Sequence, residues 1–380
     1  FEMMTSRKSN YSVTSPNSLI EAPFTTARLT AKSVESSIMV DCRPNKVCFT
    51  SSVSSFLVCS LSPSPSLSTF VPSLPNDDEY YRQQALFPLP AEPNDLIPLL
   101  VQSDLYAVPL VSGELIIVKL DESSNSLQLF HRVSTHTNGA EATCGCSQES
   151  KIIVGGSDGK IVLIDAASNA TTTISETGSG VDCIAVANGG SLLATGHMSG
   201  ILNLWDLRVS AMPSSSSSDQ TQHPIFSLSS NVINDGVTAL GAHSAQTNVL
   251  AVGYESGTVV VMDTRRGSEG PDTRNTFEVA TNAITKAAFH PQFGDNLFLS
   301  SLDGSLIHWD PAAVSNELTS NKSSRVSPWL SNHLEATTAL TAILTEEFPA
   351  AINDFSLKDD AIVIACENQQ IKHLSGLHLV

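Results

Sequence analysis

Several short groupings in this chain have the residue types that chemistry needs. The string GGSDG, residues 155–159, matches the G-x-S-x-G pattern, with Ser157 in the place of a nucleophile. Cys144 and Cys146 form a C-x-C pair, and four histidines, His197, His243, His290 and His308, punctuate apolar stretches. Four aspartates, Asp165, Asp206, Asp263 and Asp310, recur at one place in a repeated phrase and raise the question of paired-carboxylate catalysis.

Each grouping depends on the element that holds it. A serine elbow works where a strand turns sharply into a helix, but GGSDG leads into KIVLID, a β-branched run that reads as a second strand. The histidines lack the i, i+4 spacing of helical metal ligands, and the cysteines lack two paired clusters. Glycines sit between apolar runs and not between a strand and a helix, so no phosphate cradle is written. No basic stripe with interleaved aromatics appears; Arg265 and Arg266 are an isolated pair. We therefore assign no catalytic, cofactor-binding or metal-binding residue, and expect no cofactor.

The aspartates belong to a repeat. KIIVGGSDGKIVLID, LLATGHMSGILNLWD, VLAVGYESGTVVVMD and LFLSSLDGSLIHWD align on Gly159, Gly200, Gly257 and Gly304, each followed six positions later by Asp165, Asp206, Asp263 or Asp310. Trp205 and Trp309 precede two of these aspartates, as a large residue for packing between units. A looser copy, LYAVPLVSGELIIVKLD, turns at Gly113 with Lys119 in the aspartate's place. Each phrase reads as strand, glycine hairpin, strand, apolar enough to be covered on both faces. Weaker strands begin upstream at Val181, Val237 and Ile284.

Successive turn glycines lie 46, 41, 57 and 47 residues apart, near the roughly 40–45 residues of a four-stranded propeller blade. Residues 37–61 and 351–374 have the same rhythm without the signature, which brings the count to seven blades. The spacing predicts an all-β, seven-bladed propeller in a single domain over residues 31–380, with insertions near 62–81, 212–224 and 311–335. The polar segment 1–30 is the candidate for an outer strand that closes the ring. The repeated aspartates then serve strand ends and turns, radially apart, and not as a catalytic pair.

Composition fits this reading. The 380 residues are 41% hydrophobic and 15% charged, with a net charge of −18 that disfavours direct binding to phosphate backbones. Seven cysteines without framework spacing suit reduced thiols. No apolar run nears the roughly 20 residues of a membrane helix and the first residues lack a secretory signal, so we expect a soluble, intracellular protein that binds neither membrane nor small-molecule substrate. Its start on Phe1 suggests an incomplete or processed terminus.

The endings LNLWDLR and LIHWD behind Ser-Gly and Asp-Gly turns resemble the WD40-repeat family. The chain departs from that pattern in lacking the early Gly-His dipeptides and in keeping Trp-Asp in two units only, which marks a divergent member. FHPQFGDNLFLSSLDGSLIHWD, followed by a polar loop and then Pro328-Trp329-Leu330-Ser331, resembles the small WD-repeat nucleoporins of the Y-shaped complex in the nuclear-pore outer ring. That resemblance implies a non-enzymatic scaffold binding an α-helical nucleoporin of the Y-complex arm. It further implies a part in pore assembly and in RNA and protein transport, at the nuclear envelope and at kinetochores in mitosis. A second resemblance points elsewhere: Trp205-Asp206-Leu207-Arg208 is similar to the Trp-Asp-x-Arg ending of substrate receptors that dock on cullin-type ubiquitin ligases.

Overall fold

A computed structural model describes residues 20–21, 34–73, 80–99, 102–124, 126–208, 223–229, 235–265, 276–310, 328–330, 339–344 and 350–377. The architecture is all-β: seven antiparallel sheets form the blades of a propeller. Among the described residues helix is confined to short 3₁₀ turns, Asn188–Gly190, Pro328–Leu330 and residues 264–265.

Counted along the chain, blade 1 is built from Pro44–Phe49, Phe56–Ser60, Ser66–Pro72 and Tyr81–Pro88. Blade 2 uses Ile97–Pro98, Leu105–Pro109, Glu114–Asp121 and Ser126–Ser134. Blade 3 uses Ala142–Gln148, Lys151–Gly156, Lys160–Asp165 and Thr171–Glu176. Blade 4 comprises Cys183–Ala187, Leu192–Gly196, Ile201–Asp206 and Phe226–Ser229. Blade 5 comprises Val237–Ala242, Val249–Tyr254, Thr258–Asp263 and Thr276–Glu278. Blade 6 has Ile284–Phe289, Leu297–Ser301, Leu306–Asp310 and Ala339–Leu344. Blade 7 takes Ile352–Lys358, Ala361–Cys366 and Gln370–Ser375 from the end of the chain and its outer strand, Val34–Met39, from near the beginning.

The near-continuous apolar strands follow from this arrangement. Side chains alternate across a strand, and every blade face meets another blade. In blade 5, Val249 and Ala251 enter a cluster shared with blade 6, while Leu250, Val252 and Tyr254 enter one shared with blade 4. Seven such buried clusters occupy the seven blade interfaces. The stripes of an amphipathic helix would have left half of these residues in water.

Chain reversal falls on the glycines of the repeat. Gly113, Gly159, Gly200, Gly257 and Gly304 all have φ between +77° and +87°. At Gly257 the demand is double, because a Cβ there would also run into the Ala280 carbonyl of the link to the next blade.

Ring closure is a seam between blades 7 and 1. Val34–Met39 pairs antiparallel with Gln370–Ser375. Across the interface Asp354 Oδ2 accepts the Val47 amide at 2.9 Å, Ser356 Oγ accepts the Phe49 amide at 3.3 Å, and Lys358 donates to the Thr50 carbonyl. A related device recurs at bulges in innermost strands and the links before them. Asn45 Nδ2 donates to the Pro93 carbonyl (2.7 Å), Asn94 Nδ2 to that of Ala142 (3.0 Å) and Asn353 Nδ2 to that of Pro44 (2.9 Å). The Thr143 hydroxyl donates to Val181 in the same way. Each side chain ties one blade to the next around the axis.

Three boundaries differ from those read from sequence. Ser66–Pro72, inside the expected insertion 62–81, is the third strand of blade 1; its serines are buried against neighbouring strands, and a Ser/Pro composition alone reads as linker. Residues 37–39, expected in blade 1, end the outer strand of blade 7. That closing strand lies just after the polar segment 1–30, of which only Ile20–Glu21 is described; it adds in parallel to the outer strand of blade 5. The expected insertion 212–224 lies outside the described residues except at its end, and of 311–335 only the turn 328–330 is described.

Candidate functional site

Two places could serve function: the repeated strand ends and turns, and the channel where the innermost strands meet. At the strand ends three of the four aspartates are committed locally. Asp206 accepts the Arg208 amide at 3.0 Å and both Nε and Nη2 of its guanidinium, which hold its carboxyl down at about 2. Asp263 binds Arg265 in the same way. Burial pushes the Asp263 carboxyl up, but the guanidinium and amide outweigh it and the net shift is downward. Asp165 caps its turn by accepting the amides of Ala167 and Ser168 and the Ser168 hydroxyl. Asp310 ends the third strand of blade 6. No two of these carboxylates face one another across a site; they sit at the ends of different blades.

The tryptophans are interior. Trp205 is buried at the interface of blades 3 and 4, and its indole N–H donates to Thr195 Oγ1 at 3.1 Å. From there a chain of hydrogen bonds continues: the Thr195 hydroxyl to His197 Nε2 (3.2 Å), and His197 Nδ1 to the Gly180 carbonyl (2.8 Å). Asn203 supplies a second donor to Nε2. In this pattern Nδ1 faces an acceptor and Nε2 faces donors. Trp309 takes the matching place between blades 5 and 6, against Phe277 and Trp329.

The other histidines are also occupied. His243 and His290 each accept two backbone amides of the turn after the first strand, and His290 Nε2 donates to the Asp359 carbonyl of blade 7 at 2.7 Å. His308 lies 2.7 Å from Asn296 Oδ1, and burial, with His290 nearby, brings its ring down to about 4. His136 bonds Asp158 at 2.9 Å, yet burial outweighs that carboxylate and lowers its pKa. Among the described residues no three His, Cys, Asp or Glu side chains converge as metal ligands.

Ser157 stands in a hairpin turn, exposed, with its Oγ accepting the Glu141 amide at 2.9 Å. The nearest candidate base, His136, is turned to Asp158. GGSDG is therefore a blade turn, as its sequence context indicates.

The channel encloses about 320 Å³ and takes lining residues from all seven blades. Lys46, Asp95, Asp182, Lys286 and Asp354 supply its charges, with Thr143, Thr238 and Thr285 between them. Lys286 Nζ lies 2.7 Å from Asp354 Oδ1, and Asp95 Oδ2 accepts the Gly145 amide at 2.9 Å. Burial alone would lower the Lys46 ammonium, but Asp354 and Asp95 raise it. Three thiols line the wall, Cys144, Cys146 and Cys183. Burial pushes Cys144 up to about 12, and the other two upward as well. A thiol so raised is protonated near neutrality, so these cysteines are wall and not nucleophiles. Asp354, Lys286 and Asp95 hold adjacent blades, and Asp182 Oδ2 accepts the Met198 amide within blade 4.

Sequence reasoning missed the channel charges and the asparagine and threonine ties. Asparagine before an apolar strand looks like a turn residue, and only the ring shows which carbonyl it reaches.

Residues 124–373, about two thirds of the chain, match the family described as nucleolar protein 10-like, N-terminal domain, a β-propeller. The chain belongs to this propeller family. A mouse protein, nucleoporin Nup43, is 28% identical over 144 residues, covering 37% of this chain and 34% of that protein. The matched stretch thus spans about a third of that relative's length. A family member whose repeats follow the WD40 pattern is a scaffold-type protein, built to present surface.

Proposed function

We propose that this chain is a structural scaffold subunit of the nuclear pore outer ring, within the Y-shaped complex. It binds an α-helical nucleoporin and supports pore assembly and the transport of RNA and protein. The observation that carries this reading is the identity shared with a mouse nucleoporin. A second feature supports it: Trp329, in the tail motif that resembles the nucleoporin subfamily, is fully buried between blades 5 and 6. The mechanism is mechanical, a stiff hydrogen-bonded disc offering surface to a partner, where a lasting contact buries upwards of about 1,000 Å². Affinity purification of the full chain from its own cells tests it. Stoichiometric recovery of Y-complex subunits is expected, and their consistent absence overturns it.

A second reading rests on the family match. Its description is nucleolar, so a scaffold in a nucleolar assembly is the alternative. The same purification separates the two, since nucleolar proteins would then take the place of nucleoporins, and a fluorescent fusion would fill nucleoli instead of outlining the nuclear rim.

A further inference from the structure

We infer that the outer mouth of the wedge between blades 1 and 2 is the docking surface for an amphipathic helix of a partner whose apolar face is flanked by acidic residues. This deepens the scaffold reading above and rests on it for the helical nature of the partner.

The outer strands of these blades, Tyr81–Pro88 and Ser126–Ser134, are the longest outer strands among the described residues, at eight and nine residues, and they lie side by side. Register shows which side chains share the wedge. Arg82, Ala85 and Phe87 oppose Val71, Thr69 and Leu67, and Leu67 faces blade 2. Leu127, Leu129 and Arg132 oppose Leu120, Val118 and Ile116, which face blade 1. Phe87 and Leu127 pack on the cluster between the two blades and form the floor. Leu129 stands above it, 53% exposed, and Phe130 next to it is 42% exposed, with its ring edge-on to His131 at 4.2 Å. The strand bulges at Phe130, which is left unpaired between Leu129 and His131.

The same bulge argues for the kind of occupant. It interrupts the free edge of blade 2, and a matching irregularity beside Gln84 interrupts that of blade 1, so neither edge offers an even row of amides to an added strand. Apolar side chains remain, which suits a helix laid along the groove by side-chain contact. A strand of eight residues is ~26 Å long, matched by a helix of about 17 residues.

Charge selects the partner. In a chain of net charge −18, these two strands carry Arg82 and Arg132 and no acid. Arg82 has no partner among the described residues. Arg132 gives Nε and Nη2 to Glu114 and leaves Nη1 uncommitted there. Because the two strands run in the same sense, the guanidiniums lie near opposite ends of the groove; Arg82 would meet an acid at one end of the helix, while Arg132 is already held by Glu114 at the other. The wedge between blades 5 and 6 shows that such a mouth accepts an aromatic anchor, for Trp329 fills it from outside the blades.

The test uses the full chain with Leu129→p-benzoyl-phenylalanine for photocrosslinking in its own cells, beside a Leu129→Glu/Phe130→Glu double variant. Crosslinking to one segment that reads as an acid-flanked amphipathic helix is expected. The synthetic segment should then bind the wild-type chain at least tenfold more tightly than the double variant, whose melting profile stays unchanged. A crosslink within this chain, to a basic or extended segment, or to nothing overturns the proposal, as does equal binding by the variant. If that helix belongs to no nucleoporin, the pore reading fails while the groove stands. Recovery of Y-complex subunits by the double variant at wild-type level fails the groove alone.

Discussion

Trp309 and Trp329 meet with ring centroids 5.5 Å apart and planes inclined by 63°, although twenty residues separate them in the chain. Phe277 and Phe289 close the cage, each edge-on to one indole. The turn Pro328–Leu330 thus reaches back and fills the wedge between blades 5 and 6.

Truncating that plug should leave a cavity among side chains that cannot collapse, since two sheets hold them apart. Trp329→Ala is expected to cost about 3–5 kcal/mol of stability. Thermal and urea unfolding of wild type and variant measure it, and a loss near zero would show that the turn rests on the ring without bracing it.

How far this was legible depends on the range of each interaction. Gly200 and Trp205 announce themselves, because a hairpin demands φ > 0 locally and the strands beside it alternate between two clusters. Val34–Met39 did not, since its partner Gln370–Ser375 lies at the other end of the chain and nothing in VESSIM names it. Ser66–Pro72 was obscured by composition: a buried strand whose serines face neighbouring strands has no apolar pattern to read. Asn45, Asn94 and Asn353 act only once blades are adjacent.

Gly257 and Gly139 both have positive φ, +87° and +80°, but only Gly257 is crowded, by the Ala280 carbonyl. Gly139→Ala should therefore cost about 1 kcal/mol, the strain of the left-handed backbone alone. Gly257→Ala should cost at least about 2 kcal/mol, because a turn against the next blade must also shift. Parallel denaturant titrations check the order; equal losses would mean that backbone strain is the whole effect.

Acid should weaken the ring before its carboxylates titrate. His308 is held near 4 in the fold, below its ordinary 6.5, so the unfolded chain takes up a proton first as pH falls. Its stabilising effect is complete above pH 6.5 and is lost between there and about 4, on the order of 3 kcal/mol over that window. His136, His243, His290 and His373 are shifted in the same direction by burial. Asp206, held at about 2, adds its loss only below the ordinary carboxylate range. Stability measured from pH 7.5 to 4 should fall, and His308→Gln, which keeps a donor toward Asn296, should flatten the curve.

Arg208 distinguishes a scaffold from a ligase receptor. Its guanidinium is 74% exposed and returns to Asp206, two residues back on its own strand end, so the fold does not need it. Arg208→Ala is expected to leave the melting temperature and the set of co-purified proteins unchanged. A receptor docking through Trp205-Asp206-Leu207-Arg208 would instead lose its adaptor in that variant. Quantitative comparison of the proteins recovered with wild type and variant decides it: selective loss of a ubiquitin-ligase adaptor would move the function from holding an assembly together to choosing substrates for destruction.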